Sequence, residues 1–406
     1  MLGVLSMPAA VGTLRISDAL GLAVDRGFVD DAVYLRLSNT FLATLGVRFA
    51  TSELSAGYSF RLVPDPRSLG PAPFHNFDLR YGYNSRRLAV TLTESIGIGQ
   101  QVFLGVGRTS PLASVVATQD ARAPAPTSPA LTGTNTLDTS LLPAAQVLPI
   151  VIQRADAGAN YRWDRRWSSG FALGYTIYGA LTREAQQDLA LQHTLNSTGT
   201  LVHTLSARTE LTSSLQLSRG WNSRAERYAL FILSETWQHR LSEQTSLGAG
   251  AGLSVRETEE PSGRSVLATV PVGSINLDHT MRARDLTGGL RFAATFVPLV
   301  DVVTARLQNR LIANVTATLR YDDVYGGAGF TWSQVVPTDD PYAVGSVNGN
   351  VFGAYRLTTW LGASVSAQVT RQWFGSDNER MAVYAASGLT WGVYGGLDAT
   401  FSVQRF

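Results

Sequence analysis

The chain contains no cysteine, and all 33 of its basic residues are arginine, with no lysine anywhere in the 406 positions. Without thiols there are no disulfides and no cysteine chemistry, an absence that suits an oxidising compartment where stray thiols are a liability. An all-arginine cation set keeps its charge at every working pH and offers planar forks to carboxylate, phosphate or sulfate groups. The formal net charge is only +2, which implies no polybasic tail and no nucleic-acid surface. No run of eighteen apolar residues occurs, and a mean hydropathy of +0.03 is too polar for helical membrane spans. Histidine is scarce. His75, His193, His203, His239 and His279 have no metal-ligand spacing and sit in no nucleophile elbow or His-Glu-x-x-His frame. Gly97-Ile98-Gly99 and Gly248-Ala249-Gly250 lack the helix and spacing of a phosphate loop, and Asp339-Asp340 reads as a solvated pair in a loop. These absences point away from an enzyme, a metal centre and a cofactor.

What the chain does have is alternation. Leu35, Leu37, Phe41, Ala43, Leu45 and Val47 share one parity, against Arg36, Ser38, Thr40, Thr44 and Arg48 on the other. After Ser52 the phase resets, and Leu54, Ala56, Tyr58, Phe60 and Leu62 oppose Ser55, Gly57, Ser59 and Arg61. The same two-residue period returns near the end, where Leu361, Ala363, Val365, Ala367 and Val369 oppose Ser364, Ser366, Gln368 and Thr370. Strands with one apolar and one wet face give this pattern, and no helix does. A soluble sandwich would use shorter strands and would not sustain the texture through one chain of this length. A transmembrane antiparallel β-barrel needs it throughout. The fold class is therefore all-β, a single outer-membrane barrel over residues 13–406, preceded by residues 1–12 as a signal-peptide remnant or a lead-in.

Connections alternate between short and long. Short turns are expected at Thr51-Ser52, Asn84-Ser85, Asp164-Arg165, Ala207-Arg208, Ser242-Glu243, Arg282 to Arg284, Asp322-Asp323 and Thr358-Thr359. Longer loops are expected at Asp25–Asp30, Pro64–Asn76, Thr109–Gln146, Leu181–Asp188, Gly220–Arg227, Glu257–Arg264, Pro298–Asn309, Val336–Tyr342 and Gly375–Glu379. That pattern gives about eighteen strands, with sixteen to twenty as the bracket. Tyr81, Tyr83, Trp163, Trp167, Trp237, Tyr321, Tyr355, Trp360 and Trp391 are expected at the inner membrane interface, and Trp221, Trp332, Trp373 and Phe374 at the outer one. The proline-rich segment 109–149 reads as a long extracellular loop, or as a loop folded into the lumen as a gate.

If the apolar parity faces lipid, the other parity faces the lumen. It carries Arg36, Arg48, Arg61, Arg80, Arg154, Arg162, Arg256, Arg291, Arg310, Arg320 and Arg356, together with Asp78 and Asp156. An arginine on the lipid face at mid-depth costs about 2–4 kcal/mol, which favours the inward assignment. Two roles are open to these arginines. They brace the wall by pairing with inward carboxylates, or they line a path for anionic or hydroxyl-rich solutes.

The strand Leu20-Gly21-Leu22-Ala23-Val24-Asp25, the loop into Asp30-Asp31-Ala32-Val33, the recurrent hairpins and the terminal Phe406 resemble the outer-membrane β-barrel porin-like family associated with exopolysaccharide export. One departure is the last residue, since Phe406 falls out of phase with Leu397, Ala399, Phe401 and Val403 unless a bulge near Val403 restores it. The resemblance implies a channel in the bacterial outer membrane that passes a secreted polysaccharide, in contact with outer-membrane lipid and helped by a periplasmic polysaccharide-export protein. The alternatives are a general diffusion porin for small anionic or polar solutes and a structural or adhesive barrel with a plugged lumen.

Overall fold

The computed structural model describes residues 11–26, 33–64, 71–102, 137–138, 147–259, 263–301, 306–337, 343–374 and 388–405. Residues 1–10, most of the 109–149 segment and Phe406 lie outside that set. In chain order the strands are β1 (Val11–Arg26), β2 (Val33–Arg48), β3 (Ser52–Pro64), β4 (Pro71–Asn84), β5 (Leu88–Val102), the two-residue β6 (Leu137–Asp138), β7 (Val147–Arg162) and β8 (Trp167–Ala180). They continue as β9 (Gln192–Ser206), β10 (Thr209–Asn222), β11 (Arg227–Arg240), β12 (Thr245–Glu259), β13 (Ser265–Ala283) and β14 (Leu286–Asp301). The last are β15 (Leu307–Tyr321), β16 (Val324–Val335), β17 (Val344–Arg356), β18 (Leu361–Phe374) and β19 (Gly388–Arg405). One short helix, α1 (Ala185–Asp188), lies between β8 and β9.

Every strand but β6 pairs antiparallel with its chain neighbours, and β1 pairs with β19, so eighteen strands close into a barrel. Closure leaves no unpaired rim strand, the condition for a sheet to cross a bilayer. The β1–β19 register runs unbroken from Gly12↔Arg405 to Arg26↔Trp391, so there is no bulge near Val403.

The sheet is inside out relative to a soluble protein. On β10 and β11, Leu215, Leu217, Phe231, Leu233 and Trp237 are exposed, while Thr212, Ser214, Gln216, Ser218, Ser234 and Thr236 between them are buried. Outward polar groups are the exceptions, and several find a partner. Asp18 accepts from Asn39 Nδ2 at 2.9 Å, Glu94 from Gln153 Nε2 at 3.2 Å and Glu235 from Ser213 Oγ at 3.1 Å. All five histidines also face outward, against aromatic or hydroxyl neighbours. Trp167–His203, His193–Trp221 and Trp237–His239 are stacked rings, Tyr58 Oη is 2.9 Å from His75 Nδ1, and Thr245 Oγ1 is 2.9 Å from His279 Nδ1. They belong to the two interfacial girdles, where ring faces are apolar and ring edges are wet.

The short turns fall within a residue or two of their expected places, because their chemistry is local. Oxygens of Ser85, Asp164, Ser242 and Thr358 accept backbone N–H groups two or three residues on and close the chain reversal. Asp164 takes two such bonds, from Arg166 and Trp167, and these hold its carboxyl below the ordinary range. Arg284 and Asp322 supply the positive φ values, 47° and 48°, that two-residue turns require.

Three expectations are corrected. The 64–76 stretch is not all loop, because β4 starts at Pro71 and Pro73 lies opposite Leu62. The β4–β5 ladder begins only at Phe74↔Gly99, so Pro73 sits above its last rung, where a missing N–H costs no bond to β5. Most of the 298–309 stretch is likewise strand, with β14 reaching Asp301 and β15 resuming at Leu307. Finally, Trp391 pairs with Arg26 and Val369, at the end of the barrel opposite the short turns, and so belongs to the outer girdle.

Candidate functional site: the barrel lumen

Inward side chains divide the lumen wall into two arcs. Along β8–β12 most are small or amide-bearing and buried, with Tyr178, Tyr228, Leu230 and Ile232 as large buried residues toward the outer end, and many of the polar ones bond to one another. Ser214 and Ser234 hydroxyls lie 2.7 Å apart, Ser218 donates to Asn196 Oδ1 at 2.6 Å, and Thr194 meets the Tyr228 hydroxyl at 2.9 Å. Along β17–β19 and β2–β5 most inward residues below the outer end are half-buried or exposed, among them Thr40, Thr44, Ser55, Ser59, Asn76, Thr91, Thr93, Asn348, Asn350, Ser364, Ser366 and Gln368, while Ser346, Thr370, Gln372 and Thr390 near the outer end are buried. This second arc is the open face of the lumen. Its hydroxyls and amides both donate and accept, and they carry no fixed charge.

Inward aromatic faces are few. Phe74 lies under the Arg61 guanidinium, 5.6 Å from ring centroid to Cζ, and Tyr325 and Phe352 pack with centroids 5.3 Å apart. Tyr394 is inward on β19. Most other described tyrosines, including Tyr58, Tyr81, Tyr83, Tyr161, Tyr175, Tyr321 and Tyr355, sit on the outward parity, so the inner wall is poorer in tyrosine than the composition suggests.

The register places ten of the eleven expected arginines on the inward parity with described side chains; for Arg36 only the backbone is described, opposite Ala23 in β1. Arg61, Arg80 and Arg154 belong to the open arc or its flank, and Arg154 pairs with Asp156 two residues on. Asp78 and Arg80 are exposed on the same strand. Arg48, Arg162, Arg320 and Arg356 stand near the short-turn end, where Arg356 lies 4.0 Å from Asp323. Arg291 pairs with Asp278 at 3.1 Å.

Arg256 and Arg310 do something else. Arg310 is completely buried, 2.7 Å from Asp301 and 3.0 Å from Ser333 Oγ. Arg256 reaches three strands along the sheet order to donate to Leu307 O at 3.3 Å and Asn309 Oδ1 at 3.2 Å. A third bridge, Arg306 to Glu226 at 3.2 Å, joins the β14–β15 loop to the β10–β11 turn. These contacts draw the extracellular end of the β14–β15 hairpin across the mouth. Beneath them lies an apolar cluster inside the barrel, with Ile150, Tyr178, Leu189, Leu230, Val300 and Val344 among its members. The hairpin's anchors Asp301, Ser333, Arg306 and Glu226 carry no local sequence signal, because only long-range register brings them together.

A closed eighteen-stranded barrel with a lipid-compatible outer face and a polar inner one defines an outer-membrane channel, and the protein resides in the bacterial outer membrane. The chain belongs to the EpsX exopolysaccharide export family, whose model matches residues 80–398. No curated protein matches it. Among solved structures it is similar to the FrpB iron transporter from Neisseria meningitidis, with 7% identity, a TM-score of 0.50, and coverage of 93% of this chain and 65% of that one. It is also similar to OpdK from Pseudomonas aeruginosa, solved with vanillate, with 11% identity, a TM-score of 0.46, and coverage of 98% and 100%. A third likeness is to a bacterial polysaccharide outer membrane secretin, with 10% identity, a TM-score of 0.37, and 98% of each chain covered. The present chain thus spans somewhat less than two thirds of the FrpB transporter, and that likeness speaks for the barrel fold alone.

Proposed function

We propose that this barrel is the outer-membrane conduit for a secreted polysaccharide, received at the short-turn end from a periplasmic export protein. The observation that carries the reading is the open arc made chiefly of hydroxyl and amide side chains, interrupted by Arg61, Arg80 and Asp78 and by the Phe74 and Tyr325–Phe352 ring faces. Such groups exchange hydrogen bonds with sugar hydroxyls at little net cost, and flat apolar rings suit the C–H faces of pyranoses. Membership of an exopolysaccharide export family supports the same substrate class. A small-solute porin would need a standing aperture, whereas here a hairpin end crosses the mouth. Cells lacking this protein are expected to retain the polymer internally and show little at the surface, with secretion restored by the wild-type gene. Normal surface polymer in the deletion strain would overturn the reading.

We assign Arg61, Arg80 and Arg154 the role of setting the charge preference of the path. Replacing all three with glutamine is expected to move the reversal potential in a salt gradient toward cation preference. An unchanged reversal potential would leave these arginines as wall braces only.

A further inference from the structure

Among the described residues, the wall parts furthest at one seam, beyond the shorter partings at the ends of the β2–β3 and β4–β5 ladders. The β13–β14 ladder climbs from Ala283↔Leu286 to Gly273↔Phe296 and stops there, although both strands continue. In the same register the next rung would be Val272 with Val297, and the one after it would set Pro271 against Pro298. Proline is accommodated within a strand where the side lacking its N–H is an edge. Pro271 keeps its rung with Leu253 of β12 and Pro298 keeps its rung with Asn309 of β15. The edge is therefore the line between the two prolines.

Above that line the hairpin end leaves the wall. Over most of each strand one parity is exposed, but Pro298, Val300, Asp301 and all four residues of Leu307–Arg310 are buried on both faces, as are the ends of β8 (Tyr178–Ala180) and β17 (Val344–Ser346) that pack at the same level. Val300 and Leu307, which the alternation assigns to the lipid side, lie in the internal apolar cluster with Leu230 and Ile232. Arg310, Arg256 and the Arg306–Glu226 pair fasten the end in place, and β6 lies parallel to it at Val300 and Asp301. Meanwhile Ser265–Val272 of β13 have a ladder partner on the β12 side only, among the described residues.

We propose that the described residues at the extracellular end of β14 and β15, Pro298–Asp301 and Arg306–Arg310, form the gate of this channel, with two seats. In the inward seat, which the structure shows, it crosses the mouth and leaves the β13 edge bare. In the wall seat it lies along Ser265–Val272, which closes the seam and clears the lumen. The facing prolines keep the wall seat from being a continuous ladder, so the inward seat, held by Arg310, Arg256 and Arg306, is the resting arrangement and the wall seat is the minor state that opens the channel. The proposal rests on the reading of the barrel as an outward path, but it is tested by salt current rather than by polymer.

The chain has no cysteine, so Val270→Cys with Leu299→Cys introduces a single thiol pair. These positions face each other, both inward, only if the register continues through the seam into the wall seat. In planar bilayers, oxidation of the folded double variant is expected to form the disulfide and raise the open-channel current several-fold, with reversal by dithiothreitol. Each single variant should behave as wild type under the same oxidant. As a second probe, Arg306→Glu places like charges at the Glu226 contact and is expected to raise the opening frequency without a cross-link. A disulfide that forms with no change in current, or folded protein that never cross-links while Arg306→Glu stays closed, would overturn the gate. Loss of the polysaccharide reading through normal secretion in the deletion strain would leave these currents unaffected, so the two failures are distinguishable.

Discussion

Arginine in place of Leu233 is expected to be among the most damaging single substitutions on the outer wall. Leu233 sits at the centre of β11, on the outward parity, and is 53% exposed in the absence of lipid. In the bilayer that exposure is contact with acyl chains, and a guanidinium at mid-depth costs about 2–4 kcal/mol. The folded fraction in urea titrations with phospholipid vesicles should fall by one to three orders of magnitude at the wild-type midpoint. Thr91→Arg provides the control, because Thr91 is exposed on the inward parity of β5 and faces the wet lumen. Its effect should stay within about 0.5 kcal/mol, the usual range for a substitution in water-exposed surroundings. Equal destabilisation by the two changes would mean that the faces of the sheet have been assigned the wrong way round.

The contrast follows from how the sequence encodes the wall. A strand with lipid on one side and water on the other must alternate, and each hairpin turn is closed by its own Ser, Thr or Asp oxygen. Strand number, turn positions and the facing of Leu54, Arg61 or Val365 were therefore readable from neighbouring residues alone. Facing is a local property, but height and enclosure are not. Trp391 was assigned to the wrong girdle because its distance from a turn depends on the long connection before β19. Pro64–Asn76 and Pro298–Asn309 read as loops because proline marks strand ends, although both contain strand residues above the last rung shared with a neighbour. Most of the described tyrosines alternate with the polar set and face outward, as the interfacial placement of Tyr81, Tyr83, Tyr321 and Tyr355 anticipates. Of the candidate arginines, Arg61, Arg80 and Arg154 lie on or beside the open arc, while Arg310 and Arg256 fasten the hairpin end. That difference lies in Asp301, Ser333 and Asn309, which only the folded register brings within reach.

The fastening at Arg310 leads to the second large expected effect. Arg310 and Asp301 are both fully buried, with their charged groups 2.7 Å apart and Ser333 Oγ as a further acceptor at 3.0 Å. Removing one partner leaves the other charge buried without its counter-ion, a loss of about 3–5 kcal/mol. Arg310→Met or Asp301→Leu alone should therefore strongly destabilise the inward seat of the hairpin end. The β14–β15 ladder below Val300↔Leu307 does not depend on the pair, so the barrel itself should persist. Proteolysis at the hairpin end and the open-channel current should both increase, while the heat-resistant folded band on gels remains. Replacing both partners together removes the desolvation burden along with the attraction, and apolar side chains suit the neighbouring Val300, Leu307 and Val344. The double variant is thus expected to recover most of the closed state lost by either single change. Additive opening in the double variant would show that the ion pair stabilises the inward seat independently of its own burial, and that the surrounding apolar cluster does not accept a dry replacement.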